Sequence, residues 1–538
     1  MAKQGYKTEV LESFSGGLNY RTDQFNLQPN ESPDLLNVDV DPRGGVKLRN
    51  GVTAINGTAL GANVEGIASF FTDGGTSQII ANHGTAVVHS TGGNFTAMTG
   101  QTARTAGSRM YGVTMNNVFY GVSGDKVSFK WTGTGSGSDL GTTLDGSAGN
   151  FPIAQYVTFW NNFAWVGKTY ENDGGFAYNN SRIRWSNANQ AEKWTNTDYV
   201  DVDLGERGDV ITGMVPLADR LLIFKNNSVH VIYGFDSESF QLTALSRDVG
   251  SIEKSTPVST PYGVFFWHGR EGVYLYNGQG FTNVFEKLRP AIDNERISFT
   301  TPPQLAWYEN RLYVSVDMLQ YYKSGAQVIK RHVFTYDPSI QSWSLTDIDA
   351  ATLHVHTPPG GTPLLLGACD STSSPDHTGR VIKLEQSTST DAYDGSTAAR
   401  IESHFTTPWL SGRNPVTKKR WGRPQVVIDA GKSLTMQVEV YTDYDKASSR
   451  KIVDLTIEGR ESASVWDTAR WGNADGSTHT APVGVWGAES ANKITDVVRV
   501  QSLGNAKSVA LKINGPSQSS SWEINGIMFT YKPRRLRY

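Results

Sequence analysis

Residues 263–281 read GVFFWHGREGVYLYNGQGF. Two short apolar runs, Gly263–His268 and Val273–Tyr276, are separated by a Gly/Arg/Glu turn. Asn277-Gly278 then leads through a second turn to Phe281. Asn-Gly supplies the left-handed backbone that a tight hairpin needs, so the stretch reads strand, turn, strand, turn, strand. Successive side chains of a strand point to opposite faces. Tyr274 and Tyr276 therefore share one face, and Val273 and Leu275 share the other. A strand that is apolar on both faces must be covered on both.

The phrase has relatives along the chain: SVHVIYGFDSESF (228–240), HVFTYDPSIQSW (332–343), KVSFKWT (126–132) and TAVVHSTGGNF (85–95). A further strand precedes each: RLLIFK, RLYVSV, VFYGV and QIIAN. A strand-only unit repeating every several tens of residues is the pattern of a β-propeller, in which small sheets stack around an axis and each covers its neighbours. Units beginning near residues 63, 104, 153, 210, 250, 300 and 350 predict seven blades. The third and last units are irregular, which leaves six as the alternative. Helical periodicity is confined to 186–194 and 284–294. The Gly/Ser/Thr-rich stretch 132–150 is expected to be an exposed loop, and 386–399 a domain linker. Beyond it, strand-like alternation over 400–409, 424–429, 434–442, 498–503, 508–513 and 522–531 predicts a sandwich. The expected organisation is all-β: an N-terminal arm with docking strands (1–62), a β-propeller (63–395), and a C-terminal β-sandwich with a basic tail (396–538).

The composition supports packed β cores. Of the 538 residues, 38% are hydrophobic and 11% aromatic, with 55 Gly. The net charge of −3 gives no global basic field for nucleic acid. One cysteine, Cys369, excludes an internal disulfide, as expected of assembly in a reducing cytoplasm. The N-terminal residues lack a signal-peptide pattern, and no apolar run is long enough to span a membrane as a helix.

Catalytic signatures are missing. There is no GxxxxGK[ST], GxSxG, HExxH or CxxC. Ser186–Trp194 is faintly like the Asp-box of glycan-cleaving propellers, but Ala188 and Gln190 replace its Asp and Gly. His354 and His356 share a strand face as two metal ligands could, with no third ligand nearby in sequence. Asp391 and Asp394 read as turn formers rather than a glycosidase pair. The reading is a non-enzyme with no catalytic residue, metal or cofactor. Two basic segments stand out as candidate interface. TKKRWGRP carries Lys418, Lys419, Arg420 and Arg423 around Trp421, and the C-terminal KPRRLRY carries Lys532, Arg534, Arg535 and Arg537. Cations beside an aromatic suit an interface anchor, whereas a basic strand edge that blocks aggregation is the plainer explanation.

The arm is the most distinctive segment. Residues 16–51 read GGLNYRTDQFNLQPNESPDLLNVDVDPRGGVKLRNG. This resembles the opening of tail proteins from tailed bacteriophages, where a Gly-Gly-Leu-Asn … Asn-Glu … Leu-Asn-Val-Asp … Gly-Gly … Arg … Gly arm leads into a β-propeller. RIRWSNANQAEKW (182–194), DVITGMVPLADRLLIFKNNSVHVIYG (209–234), GVFFWHGREGVYLYNG (263–278), WGRPQVVID and WEINGIMFTYKPRR extend the resemblance over most of the chain. The nearest type is the tail nozzle, or tail hub, of short-tailed phages. The resemblance implies a virion structural protein of the tail, assembled in the host cytoplasm. It implies a homohexameric ring below the portal and adaptor proteins, a channel for transient passage of genomic DNA, and a platform for tail fibres or spikes. A mildly acidic chain suits a conduit that must not hold DNA, so lumen-facing positions are expected to be polar or acidic and the basic tail to face a subunit boundary. A minor tail protein of a long-tailed phage and a carbohydrate-binding or carbohydrate-cleaving propeller are the alternatives.

Overall fold

The structure, a computed structural model, describes residues 5–172, 176–203, 209–321, 327–372, 374–430, 433–457 and 494–534. Seven antiparallel sheets lie in chain order over 64–97, 111–139, 153–201, 211–246, 258–283, 297–346 and 352–386. Six have four strands and the sixth in order has five. The first long strand of each sheet lies beside that of the next, and the seventh returns to the first. The molecule is therefore a seven-bladed propeller.

Side-chain alternation explains the ring. In the fourth blade Leu221 and Ile223 pack into a core shared with the third blade. Leu222 and Phe224, on the opposite face, pack into a core shared with the fifth. The phrase around 273 behaves in the same way: Tyr276 joins the core with blade four, and Val273 the core with blade six. Seven such cores separate seven neighbouring pairs of blades. Each fully buried large apolar side chain contributes about 1.5–3 kcal/mol, so the repeat is held by many interchangeable increments. Asn277 forms the expected turn, its Oδ1 accepting from the backbone N–H of Gln279 and Gly280, each at 3.0 Å.

The seventh blade is completed from the other end of the chain. Its outermost strand is Gly51–Ala54, antiparallel to Val381–Gln386, with Ile382 opposite Ala54. The irregularity of the last repeat thus has a physical cause, since its fourth strand is missing locally and supplied by the arm.

The C-terminal region is a two-sheet sandwich into which the arm is woven. The larger sheet has eight strands, three of them from the arm: Lys7–Leu11, Val38–Val40 and Val46–Leu48. The smaller has five, including Leu35–Leu36 of the arm beside His404–Thr406. Lys7–Leu11 runs along the long strand Trp522–Pro533, which brings the two ends of the chain into one sheet. The sandwich core around Trp421, Trp522 and Phe529 continues through Phe14, Leu18 and Val38 into Trp267, Phe285 and Trp343 of the propeller.

Three sequence expectations change. Ser186–Trp194 is a pair of turns with an Asn187–Gln190 bridge, because Asn189 adopts a positive φ that ends any helical run, and Trp194 is buried against Phe151. The 284–294 segment does hold helix, Glu286–Leu288 followed by Arg289–Asp293. Within 132–150, Ser138–Asp139 forms the outer strand of blade two. The 386–399 stretch is pinned rather than free: Thr390–Asp391 pairs with Ala399–Arg400, and Ala392 bridges to Thr53.

Candidate functional site: the arm joint and the basic face

The arm residues that distinguish the sequence are the ones that bond the sandwich to the propeller. Gly17 has φ +62, and a Cβ there would stand 2.1 Å from Ser342 Oγ of blade six, so only glycine fits. Asn19 turns the chain, its Oδ1 accepting from Arg21 N–H at 2.9 Å and Thr22 N–H at 3.1 Å. Its amide donates to Glu31 Oε2 at 2.9 Å. Glu31 in turn meets Lys287 at 3.2 Å, and Lys287 donates to Gly16 O at 3.0 Å. The arm thereby grips the short helix that leaves blade five.

Asn37 and Arg49 form the centre of the joint. Asn37 takes a left-handed φ of +56, which asparagine tolerates better than most residues. Its backbone N–H donates to Leu345 O of blade six at 2.8 Å, and its amide donates to Glu402 O at the sandwich entrance at 2.6 Å. Its Oδ1 accepts from Arg49 Nε at 2.8 Å and from Asp347 N–H at 3.0 Å. Arg49 is 2% exposed and grips Asp391 with both terminal nitrogens, at 2.9 and 2.6 Å, while Asp347 lies 3.3 Å away. Burial disfavours the guanidinium charge, but Asp391 and Asp347 outweigh it, and the pKa stands above the ordinary arginine value. Asp391 also accepts from Val52 N–H at 3.1 Å, so the same carboxylate holds the strand that closes the ring. It is a buried ion-pair partner, not a turn former. Asp394 is the turn former, accepting from Ser396 and Thr397 N–H. Asp39 adds a pair with Arg311 at 3.3 Å.

The basic segments converge in space, although not every member is accessible. Lys419–Trp421 lies against the end of Trp522–Pro533, with Arg420 directly opposite Lys532, and Arg534 N–H donates to Lys418 O at 3.1 Å. Arg420, Lys418, Arg423 and Arg534 are exposed, and Lys532 is half-buried. Lys419 is removed from the surface. It points inward and its Nζ donates to the carbonyls of Asn414, Thr417 and Lys507, and burial lowers its pKa. Trp421 is 1% exposed, donates Nε1–H to Ala506 O at 3.2 Å and packs on Tyr531. It is a core residue beneath the cations, so Trp421 offers them no stacking platform. Arg535 and Arg537 lie outside the described residues. Lys507, absent from both sequence runs, joins the face because its strand neighbour Ala506 pairs with Lys419.

The two histidines lie on the inner strand of blade seven. His354 Nε2 and His356 Nδ1 both share the hydroxyl of Ser69, at 2.7 and 2.8 Å, and His356 Nε2 meets Ser77 Oγ at 2.8 Å. Burial, with His356 and Arg109 adding, brings the His354 pKa down to about 3. Among the described residues no group of three or more His, Cys, Asp or Glu could hold a metal ion. Near one end of the propeller, Arg109 reaches from blade two to Gln304 Oε1 of blade six, and Gln304 Nε2 donates to Lys254 O at 2.8 Å. The propeller axis is crossed by side chains there. Cys369 is buried, its thiol donating to Asp349 O at 2.8 Å, and burial pushes its pKa up.

No family model and no curated protein matches the chain. Solved structures align with it at low similarity. A structure of BBS1N in complex with ARL6DN aligns at 10% identity and TM-score 0.37, over 63% of this chain and 96% of that one. YCF48 from Cyanidioschyzon merolae aligns at 12% identity and TM-score 0.38, over 62% of this chain and 99% of that one. Hsv2 of Kluyveromyces lactis aligns at 11% identity and TM-score 0.24, over 50% and 98%. The fold assignment rests on the sheets described above. Among the described residues, no helix is long and apolar enough to cross a membrane.

Proposed function

We propose that the chain is a structural protein of a bacteriophage tail, a nozzle or hub ring in which copies surround the path of the genome. One observation carries the reading: the arm residues behind the phage-tail resemblance, Gly17, Asn19, Glu31, Asn37, Asp39 and Arg49, are the residues that lock the arm between sandwich and propeller. An arm signature with that use is a framework signature. It makes a two-part body rigid, which a ring under the load of genome passage requires. The cross-axis contacts of Arg109 leave the interior of a single propeller unsuited to a duplex, so the conduit runs between copies. Six copies, contact with portal and adaptor proteins, and docking of fibres or spikes belong to the same proposal. A virion localisation experiment tests it: mass spectrometry and antibody labelling of particles from the genome that encodes the chain. The chain is expected in every particle, with label confined to the tail. Its absence from purified particles contradicts the reading.

A further inference from the structure

The outer face of the larger sandwich sheet is polarised. At one end, two adjacent rows across three strands present Lys532 and Arg420, then Arg534, Lys418 and Lys507. Sheet geometry spaces these cations about 5 Å across strands and about 7 Å along them. None of the five forms an ion pair among the described residues. Farther along the same face, past a Thr8–Thr530 row, Val10 lies beside Met528 in a row that also holds Gln425 and the exposed Arg499, and Val427 lies beside Val497 in the row after it. Val10 is 45% and Val497 51% exposed. The carboxylate of Asp443 accepts from the Lys507 backbone N–H at 2.6 Å, and Asp429, farther along the sheet, is hydrogen-bonded to Asn525 at 2.9 Å. Beneath this face Trp421 packs against Phe529 and Tyr531.

A surface of the opposite character stands on blade four. The hairpin GFDSESF (234–240) presents Phe235, 81% exposed, flanked by exposed Asp236 and Glu238, which have no ion pair among the described residues. No other large apolar side chain among the described residues is so exposed. The tip is pre-formed. Ser239 Oγ accepts from Phe235 N–H at 3.0 Å and Asp236 N–H at 3.1 Å, Ser239 N–H donates to Asp236 Oδ1 at 2.9 Å, and Asn161 donates to Phe235 O at 2.9 Å. A large apolar side chain held in water on a rigid turn has the properties of a docking anchor, because little further ordering is needed to bury it.

We propose that the cationic–apolar face of the sandwich docks the acidic, Phe235-tipped hairpin of a second copy's fourth blade. The inference rests on the proposed reading that copies of this chain assemble. Charge complementarity identifies the occupant. The chain has a net charge of −3, so gathering five cations that make no ion pair among the described residues on one face leaves the rest of another copy five units more negative. Carboxylates of the hairpin meet the guanidinium and ammonium groups, and Phe235 reaches toward Val10 and Met528 farther along the face. Phosphodiester backbones would use the cations and leave the exposed Val10 and Val497 unmatched, which favours the protein partner over nucleic acid. The two surfaces lie on different parts of the chain, so a contact made head-to-tail from copy to copy is heterologous and builds a ring or a filament, whereas a two-fold pair makes the same contact twice and stops at two copies.

Charge reversal tests this on the full-length chain. One variant carries Arg420→Glu with Lys532→Glu, and another carries Asp236→Lys with Glu238→Lys. All four positions lie at the surface, and melting curves verify that both variants fold. Each variant alone is expected to self-associate at least ~10-fold more weakly than wild type by light scattering. An equimolar mixture of the two is expected to regain assembly, because every contact in an alternating array is again opposite in charge. Phe235→Ser is expected to weaken assembly with the charges intact. Variants that assemble as wild type does, a mixture without rescue, or a wild type that stays monomeric each overturn the docking. So does a short duplex DNA that binds wild type and loses binding in the sandwich variant while self-association is unchanged. The tail reading is judged separately, by the chain's presence in particles.

Discussion

The blades and the arm joint both pack apolar side chains, but only the joint depends on buried polar contacts between distant parts of the chain. A blade is stabilised by many similar apolar contacts with its two neighbours, none of them individually decisive. The joint adds to its shared apolar core a few polar contacts between residues hundreds of positions apart, such as Arg49 with Asp391 and Asn37 with Glu402. The first kind of stability is redundant and tolerates loss by degrees. The second is specific, and loss of one partner leaves buried charges or donors without compensation.

Arg49→Ala should have the largest effect. It leaves Asp391 buried beside Val52, and the expected cost is roughly 3–5 kcal/mol. Because Asp391 also holds the ring-closing strand, denaturant unfolding followed by tryptophan fluorescence should split into two transitions where wild type shows one. A single unsplit transition would place the joint's strength elsewhere. Leu222→Ala, in the core between blades four and five, should cost roughly 2–4 kcal/mol and shift the midpoint without splitting the transition. If it also splits the curve, the blades are not the redundant partner in the comparison.

The legibility of the two regions differs for the same reason. The blades could be read because a local rule, alternation plus Asn-Gly turns, generates them. That rule predicted the phrase around 273, the number of repeats and the opposite faces of Tyr276 and Val273. It failed where the partner is remote in sequence. Nothing near 352–386 announces that its fourth strand is Gly51–Ala54. The stretch 386–399 looked like a linker because its turns are local and visible, whereas its anchor, Arg49, is over 300 residues away. The basic segments were legible as composition but not as exposure. TKKRW gives no sign that Lys419 and Trp421 point inward while Arg420 points out, and Lys507 joins them only through the sheet. The arm was legible through resemblance, and its physical use only through the structure.

Acidification sharpens the comparison at the propeller axis. His354 has a folded pKa of about 3 against about 6.5 when unfolded, so the folded state binds fewer protons between these values. Its contribution is complete above pH 6.5 and is lost progressively as pH falls toward 3. Stability measured over that window should decline with decreasing pH, and His354→Gln should flatten the decline; an unchanged slope in the variant would contradict this assignment. The smallest effect belongs to a turn inside the repeat. Asn277→Ala removes two hydrogen bonds at an exposed hairpin and should cost about 0.5–1.5 kcal/mol by denaturant midpoint. A cost matching that of Arg49→Ala would erase the distinction between the two regions.

Native-state hydrogen exchange on the unmodified chain tests the joint most directly. Locking of the arm predicts that the amides of Asn37, Arg49 and Val52 exchange only with global unfolding, at the same free energy as the core amides of Arg220–Lys225 in blade four. Exchange of those arm amides at the rate of a fraying terminus, while blade-four amides remain protected, would contradict it.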